Sequence, residues 1–136
     1  MNPVTEDIKD VLVEKGLGVF NSRSSTDFSI HTEVEPDSPD LTITLIDIGG
    51  PPPQGYANRQ HRVARASGFQ IRVRALYTFD AQKRISLIET ALLRHGRFKA
   101  GGVQYGGVVC QTDASFLTTD SNRRHIWVQR FEAMRE

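Results

Sequence analysis

Apolar and polar positions along the chain change period several times, and each change marks an element. Val4, Ile8, Val11 and Leu12 recur at helical spacing among Glu6, Asp7, Lys9, Asp10 and Glu14, which predicts an amphipathic helix over residues 3–15. Asn2-Pro3 reads as its start, with Asn as cap and Pro at the first helical position, and Gly16 and Gly18 supply the stop. After a turn-rich run, Phe28, Ile30, Thr32 and Val34 alternate with Ser29, His31, Glu33 and Glu35, the period of a half-buried strand. Pro36-Asp37-Ser38-Pro39-Asp40 ends it, because proline lacks the N–H donor and restricts the residue before it. Residues 41–48 are rich in β-branched side chains and apolar on both faces at the end, as a central strand requires.

Gly49-Gly50-Pro51-Pro52-Pro53 interrupts this pattern and opens a long Pro-rich, basic loop at 49–67. The three prolines predict a stiff, extended stretch that projects residues 54–67 away from the sheet. Phe69, Ile71, Val73, Ala75 and Tyr77 then alternate with Gln70, Arg72, Arg74 and Leu76, a strand with one charged face. Asp80 is the candidate cap of a second helix with the stripe Ala81, Ile85, Ile88 and Leu92, ended by Gly96. Strands over about 107–117 and 123–133, joined at Asp120-Ser121-Asn122, close the chain, and Trp127 and Phe131 share a face that suits the helix stripe. The order implies an α+β fold: a single mixed, mostly antiparallel sheet of about five strands with two helices packed on one face, in one domain spanning 1–136.

Composition narrows the class without naming a chemistry. The chain has 136 residues, 38% of them hydrophobic and 24% charged, ordinary globular values that exclude collagen, wholesale disorder and a disulfide scaffold. No run of apolar residues is long enough for a transmembrane helix, and the first residues lack the basic and apolar regions of a signal peptide. Cys110 is the single cysteine, so no intramolecular disulfide forms and folding in a reducing cytoplasm is expected. The net charge of +1 is unevenly spread: residues 1–47 carry ten acids against three bases, and residues 48–110 two acids against ten bases. Such segregation suits a polyanion partner or a surface that meets copies of itself, unless folding interleaves the two signs.

Catalytic and cofactor motifs are not found. His31, His61, His95 and His125 are scattered, Cys110 has no nearby ligand partner, and no zinc spacing results. Cys110 lies in a strand pattern with Val108, where a small packing side chain is expected rather than a nucleophile. The Gly-Gly-Pro-Pro-Pro run cannot cradle phosphate, because prolines remove the N–H groups that would do so. Asp37 and Asp40 sit in a Pro-rich turn, where turn-forming roles account for them. The segment from Arg59 to Arg74 holds five arginines and no acid, flanked by Tyr56 and Phe69. It fits contact with nucleic acid, contact with protein, or a solvated loop. Tyr56, Arg59, Arg62, Arg65, Arg72 and Arg74 are therefore the candidate contacts.

Three stretches together resemble a known family: Pro36-Asp37-Ser38-Pro39-Asp40 with the strand through Gly49-Gly50-Pro51-Pro52-Pro53, the strand Phe69–Tyr77 leading into a helix, and the closing Asp120–Phe131. The chain resembles, over about residues 3–133, the tail terminator proteins of long-tailed bacteriophages, also known as tail-completion or minor capsid proteins. The resemblance implies a structural virion protein with no enzyme activity and no cofactor. It also implies a homohexameric ring that caps the tail tube, stops its polymerisation and offers a surface for the head-completion or neck protein. DNA would pass through the lumen without being read, and the protein would be made in the host cytoplasm and end at the head-proximal end of the tail. The loop from Gln54 to Ser67 is longer and more basic than the family pattern. The rival reading is an accessory module that contacts nucleic acid through Arg59–Arg74.

Overall fold

The computed structural model describes residues 2–23, 26–49, 54–55 and 63–135, with 54–55 and 63–65 described by backbone alone. In chain order the elements are α1 (Val4–Glu14), β1 (Val19–Phe20), β2 (Ser29–Thr32), β3 (Thr42–Gly49), β4 (Gln54–Gly55) and β5 (Val63–Ala75). They continue with α2 (Thr78–His95), β6 (Phe98–Ala100), β7 (Val103–Cys110), β8 (Ser115–Thr119) and β9 (His125–Arg135). The strands join in the order β1-β2-β3-β5-β9-β7-β6, with β4 paired to β5 and β8 to β9 off that path. β2 runs parallel to β1 and β3, and the remaining pairs are antiparallel.

The α+β class with a mixed sheet is thus as expected, but nine strands among the described residues replace the expected five or so. β1, β4 and β6 hold two or three residues each, too few for an alternating pattern to register. The strand expected over 107–117 is two strands, broken where the Gln111 and Thr112 N–H groups both turn to the Arg130 carbonyl. The strand expected to run to Glu35 stops at Thr32, because Glu33 takes φ +70° and the Val34 N–H bonds back to the Thr32 carbonyl. The loop expected over 49–67 is shorter: Gln54 and Gly55 pair with Ala64 and Val63, and residues 65–67 already pair with 133–135 of β9. Pro51–Pro53 and residues 56–62 lie outside the described residues.

Both helices cover one face of the sheet. α1 buries Val4, Ile8, Val11 and Leu12, and α2 buries Ala81, Ile85, Ile88 and Leu92, the stripes their spacing predicts. They join Ile30, Ile43, Leu45, Phe69, Ile71, Val73 and Phe131 in one core, with Trp127 packed against it as expected from its shared face with Phe131. The Phe69 and Phe131 rings stack at 5.5 Å across β5 and β9, and Trp127 Nε1 donates to Thr78 Oγ1 at the start of α2. The helix starts differ from expectation: Pro3 caps α1 and Tyr77 caps α2, each without a side-chain bond, so Asn2 and Asp80 are not caps.

The sheet curls far enough around α1 to bring its distant strands to that helix. The Tyr105 hydroxyl on β7 donates to Asp7 on α1 at 2.5 Å, with both residues fully buried. Burial, reinforced by that bond, pushes the Tyr105 hydroxyl pKa up. Gly101, in the β6–β7 turn, has φ +57°, and a Cβ there would stand 2.3 Å from Asp7 Oδ1. Only glycine allows this turn to close on the helix. On the β2–β3 side, Thr5 donates to Glu33 and Thr32 donates to Glu6, tying α1 to the parallel strands.

Candidate assembly surfaces

Strand alternation sends Arg72 and Arg74 to the sheet face away from the helices, beside Thr44 and Thr42 of β3. That face is crossed by residues 33–40, and arginines hold the crossing segment down. Arg72 Nη2 lies 3.0 Å from Glu35 Oε2, and Arg74 Nη1 lies 3.7 Å from Glu35 Oε1. Arg74 also donates to the carbonyls of Pro39, at 2.7 Å, and Asp40, at 3.4 Å, and is only 3% exposed. From the β8–β9 turn, Arg124 donates to Asp120 Oδ2 at 2.8 Å, to Asp40 Oδ1 at 3.3 Å and to the Asp37 carbonyl. Burial, with Arg124 nearby, lowers the Arg74 pKa. Burial alone would raise Asp120, but the backbone N–H and guanidinium of Arg124 and the Asn122 N–H bring it below its ordinary value.

The Pro-Asp-Ser-Pro-Asp turn is therefore a clamped strap over the back of the sheet. Its acid segment and the basic β5 segment do interleave there, since Glu35 pairs with both Arg72 and Arg74. Two candidate contacts are thus engaged inside the chain, Arg74 almost wholly so. Tyr56, Arg59 and Arg62 lie outside the described residues, and Arg65 pairs by backbone with Arg135 in the β5–β9 ladder. Sequence reasoning missed Arg124. The available signal was an Asp-to-Arg spacing of four within a turn, which places both side chains on the same side of a tight hairpin.

Cys110 ends β7 half-buried, donating to Glu89 Oε1 at 3.3 Å and accepting from Gln129 Nε2 at 3.4 Å. Burial and the Glu89 carboxylate push its pKa up to about 11, which disfavours the thiolate a nucleophile needs. No group of three or more His, Cys, Asp or Glu able to hold a metal occurs among the described residues. No described helix is long and apolar enough to cross a membrane.

Exposed apolar side chains occur at several places on the surface, and two pairs lie on the edge strands β1 and β8. β1 presents Val19 at 48% and Phe20 at 49% exposure, and β8 presents Phe116 at 49% and Leu117 at 47%. A groove of about 750 Å³ runs beside β1, lined by Phe20, Arg23, His31, Val34, Pro36 and Pro39 among others. A second, of about 590 Å³, lies beside β8 against α2, lined by Phe79, Leu87, Ala114 and Trp127 among others. His31 bonds to Ser29 Oγ at 2.7 Å, and burial together with the Arg74 charge lowers its pKa.

What the described residues assemble is a scaffold of clamps, turns and apolar edges, the make-up of a structural protein that meets other protein surfaces. The family model for the bacteriophage tail terminator protein matches residues 12–136, and the chain belongs to that family. It is a structural protein of a phage-like tail and a component of the virion. Among solved structures, a chain from the virion of a native gene transfer agent particle shares the fold, with a TM-score of 0.64 and 13% identity, over 98% of this chain and 95% of that one. A second solved chain aligns over 96% of this chain and 95% of its own length, with 15% identity and a TM-score of 0.48. No curated protein sequence matches the chain.

Proposed function

We propose that this chain acts as a single domain that caps the tail tube as a homohexameric ring. The ring ends tube polymerisation and offers the surface to which the head-completion or neck protein binds, at the head-proximal end of the tail. DNA passes through its lumen without sequence recognition, and the protein has no enzymatic role. The observation that carries this reading is the family match over residues 12–136. The apolar sheet edges support it, because a protein built to meet copies and neighbours leaves such surfaces open. Tyr56, Arg59, Arg62 and Arg65 are assigned to contacts with neighbouring subunits or the lumen. Arg72 and Arg74 act on assembly through the strap that they hold. The rival nucleic-acid reading has less to stand on, since two of its five arginines are committed to Glu35.

Particles lacking the protein test this directly. Electron microscopy should show overlong tubes with unattached heads, and adding back the purified chain should stop tube growth. Tails of normal length joined to heads without it would overturn the reading.

A further inference from the structure

We propose that the sheet continues from one copy of this chain to the next, with the free edge of β1 lying along the free edge of β8 in a second copy. This rests on the self-assembly stated above and names the surfaces that carry it. Among the described residues β1 pairs only with β2, and β8 only with β9, so these edges lie at opposite sides of the sheet. Soluble proteins blunt such edges with charge, proline or cover. Here both edges are apolar, through Val19 and Phe20 on one and Phe116 and Leu117 on the other. Two different edges on one chain meet head to tail, the geometry that closes into a ring.

The faces agree across such a junction. Phe20 is in register with Ile30 and carries the Lys9 ammonium 4.3 Å from its ring centre, so it lies on the helix-covered face. Phe116 is in register with Trp127, with ring centres 6.1 Å apart at a steep angle, and lies on that same face beside the α2 groove. A sheet continued between copies brings Phe20 of one to the Phe79, Leu87 and Trp127 groove of the next. β1 holds only two residues, so this aromatic anchor contributes more than the strand ladder.

Charge agrees as well. Arg23 lies three residues beyond the end of β1, and Asp113 lies two residues before the start of β8. Arg23 and Asp113 are exposed. Opposite signs at the two edges steer encounter and fix register, and they penalise β1-to-β1 or β8-to-β8 pairing.

Disulfide trapping in the full chain tests the junction. With Cys110→Ser removing the native thiol, Val19→Cys and Leu117→Cys together should give, on mild oxidation of assembled protein, a ladder of linked subunits. An equal mixture of the two single-cysteine chains should stop at dimers, because the link needs two different edges brought within disulfide reach. Phe20→Ala should weaken assembly about tenfold or more by native mass spectrometry, as loss of a central aromatic anchor does. Arg23→Asp and Asp113→Arg should each weaken it about two- to fivefold, and together should restore it. Rings that form without the ladder, or that tolerate Phe20→Ala, overturn the edge-to-edge junction and leave the ring reading standing. A chain that stays monomeric both alone and on tail tubes overturns the ring reading and this junction with it.

Discussion

The two faces of the central strands are held by opposite means. Toward the helices, β3, β5 and β9 present Ile43, Leu45, Phe69, Ile71, Val73 and Phe131, all fully buried in one apolar core. Away from them, β3 and β5 present Thr42, Thr44, Arg72 and Arg74, covered by a strap that Arg74 and Arg124 grip through carbonyls and carboxylates. Burial on the first face is non-directional and tolerates small shifts. Pairing on the second requires each guanidinium to meet its partners in one geometry. The helix face therefore supplies cohesion, and the back face supplies the position of residues 33–40.

Loss of packing should show the largest effect. Leu92, fully buried on α2, should cost about 2–5 kcal/mol as Leu92→Ala, read from denaturant midpoints, through lost transfer energy and a residual cavity. A midpoint unchanged by this substitution would break the account of the helix face.

The back face should respond next. Arg74→Ala removes bonds to the Pro39 and Asp40 carbonyls and leaves Glu35 with Arg72 alone, for a loss of about 1.5–3 kcal/mol. Arg74→Lys should recover little of it, since an ammonium cannot span the same carbonyls. The strap should also become cleavable by protease while the helix core stays protected, a split that Leu92→Ala would not produce. Because Arg74 is structural, reversing its charge would disturb the fold as well as any assembly it supports.

Acidity should separate the faces more gently. Burial, then the Arg74 charge, disfavour the protonated imidazole of His31, so its folded pKa lies below the ordinary 6.5. The unfolded chain then binds the proton first, and stability is full above about pH 6.5 and declines as pH falls toward the folded value. Asp120, also lowered, has the same sign: its contribution is present above the ordinary 3.8 and is lost as pH falls through the folded value. His31→Gln should flatten the decline just below neutrality and leave the loss at lower pH in place. An unaltered pH profile for that variant would remove His31 from the comparison.

The smallest effect belongs to the surface of α1. Lys9 sits 2.9 Å from Glu6 and 3.3 Å from Asp10, both partly exposed, and Lys9→Ala should cost about 0.2–1 kcal/mol, less at high salt. A larger loss would point to the Lys9 contact with Phe20 as the more important one.

The spacing of apolar residues alone determined the helices, their buried stripes, the core strands and the pairing of Trp127 and Phe131 with α2, because period and burial are local consequences of backbone geometry. The run from Pro36 through Pro53, the strand Phe69–Tyr77 and the closing Asp120–Phe131 carried the family resemblance for the same reason: each is written in consecutive residues. The strand number, the break at residues 111–114 and the start of β5 were decided by pairing between strands: β9 holds β5 from Arg65 onward, up to seventy positions away, and the two-residue β4 holds Val63 and Ala64. The roles of Arg74 and Arg124 were likewise tertiary, since their partners at residues 35–40 lie 34 or more positions away and nothing in a charge count tells a solvated arginine from a clamp. Local sequence sets which way a side chain points along its own strand; only the folded chain brings to it the carbonyl or carboxylate that decides what it does.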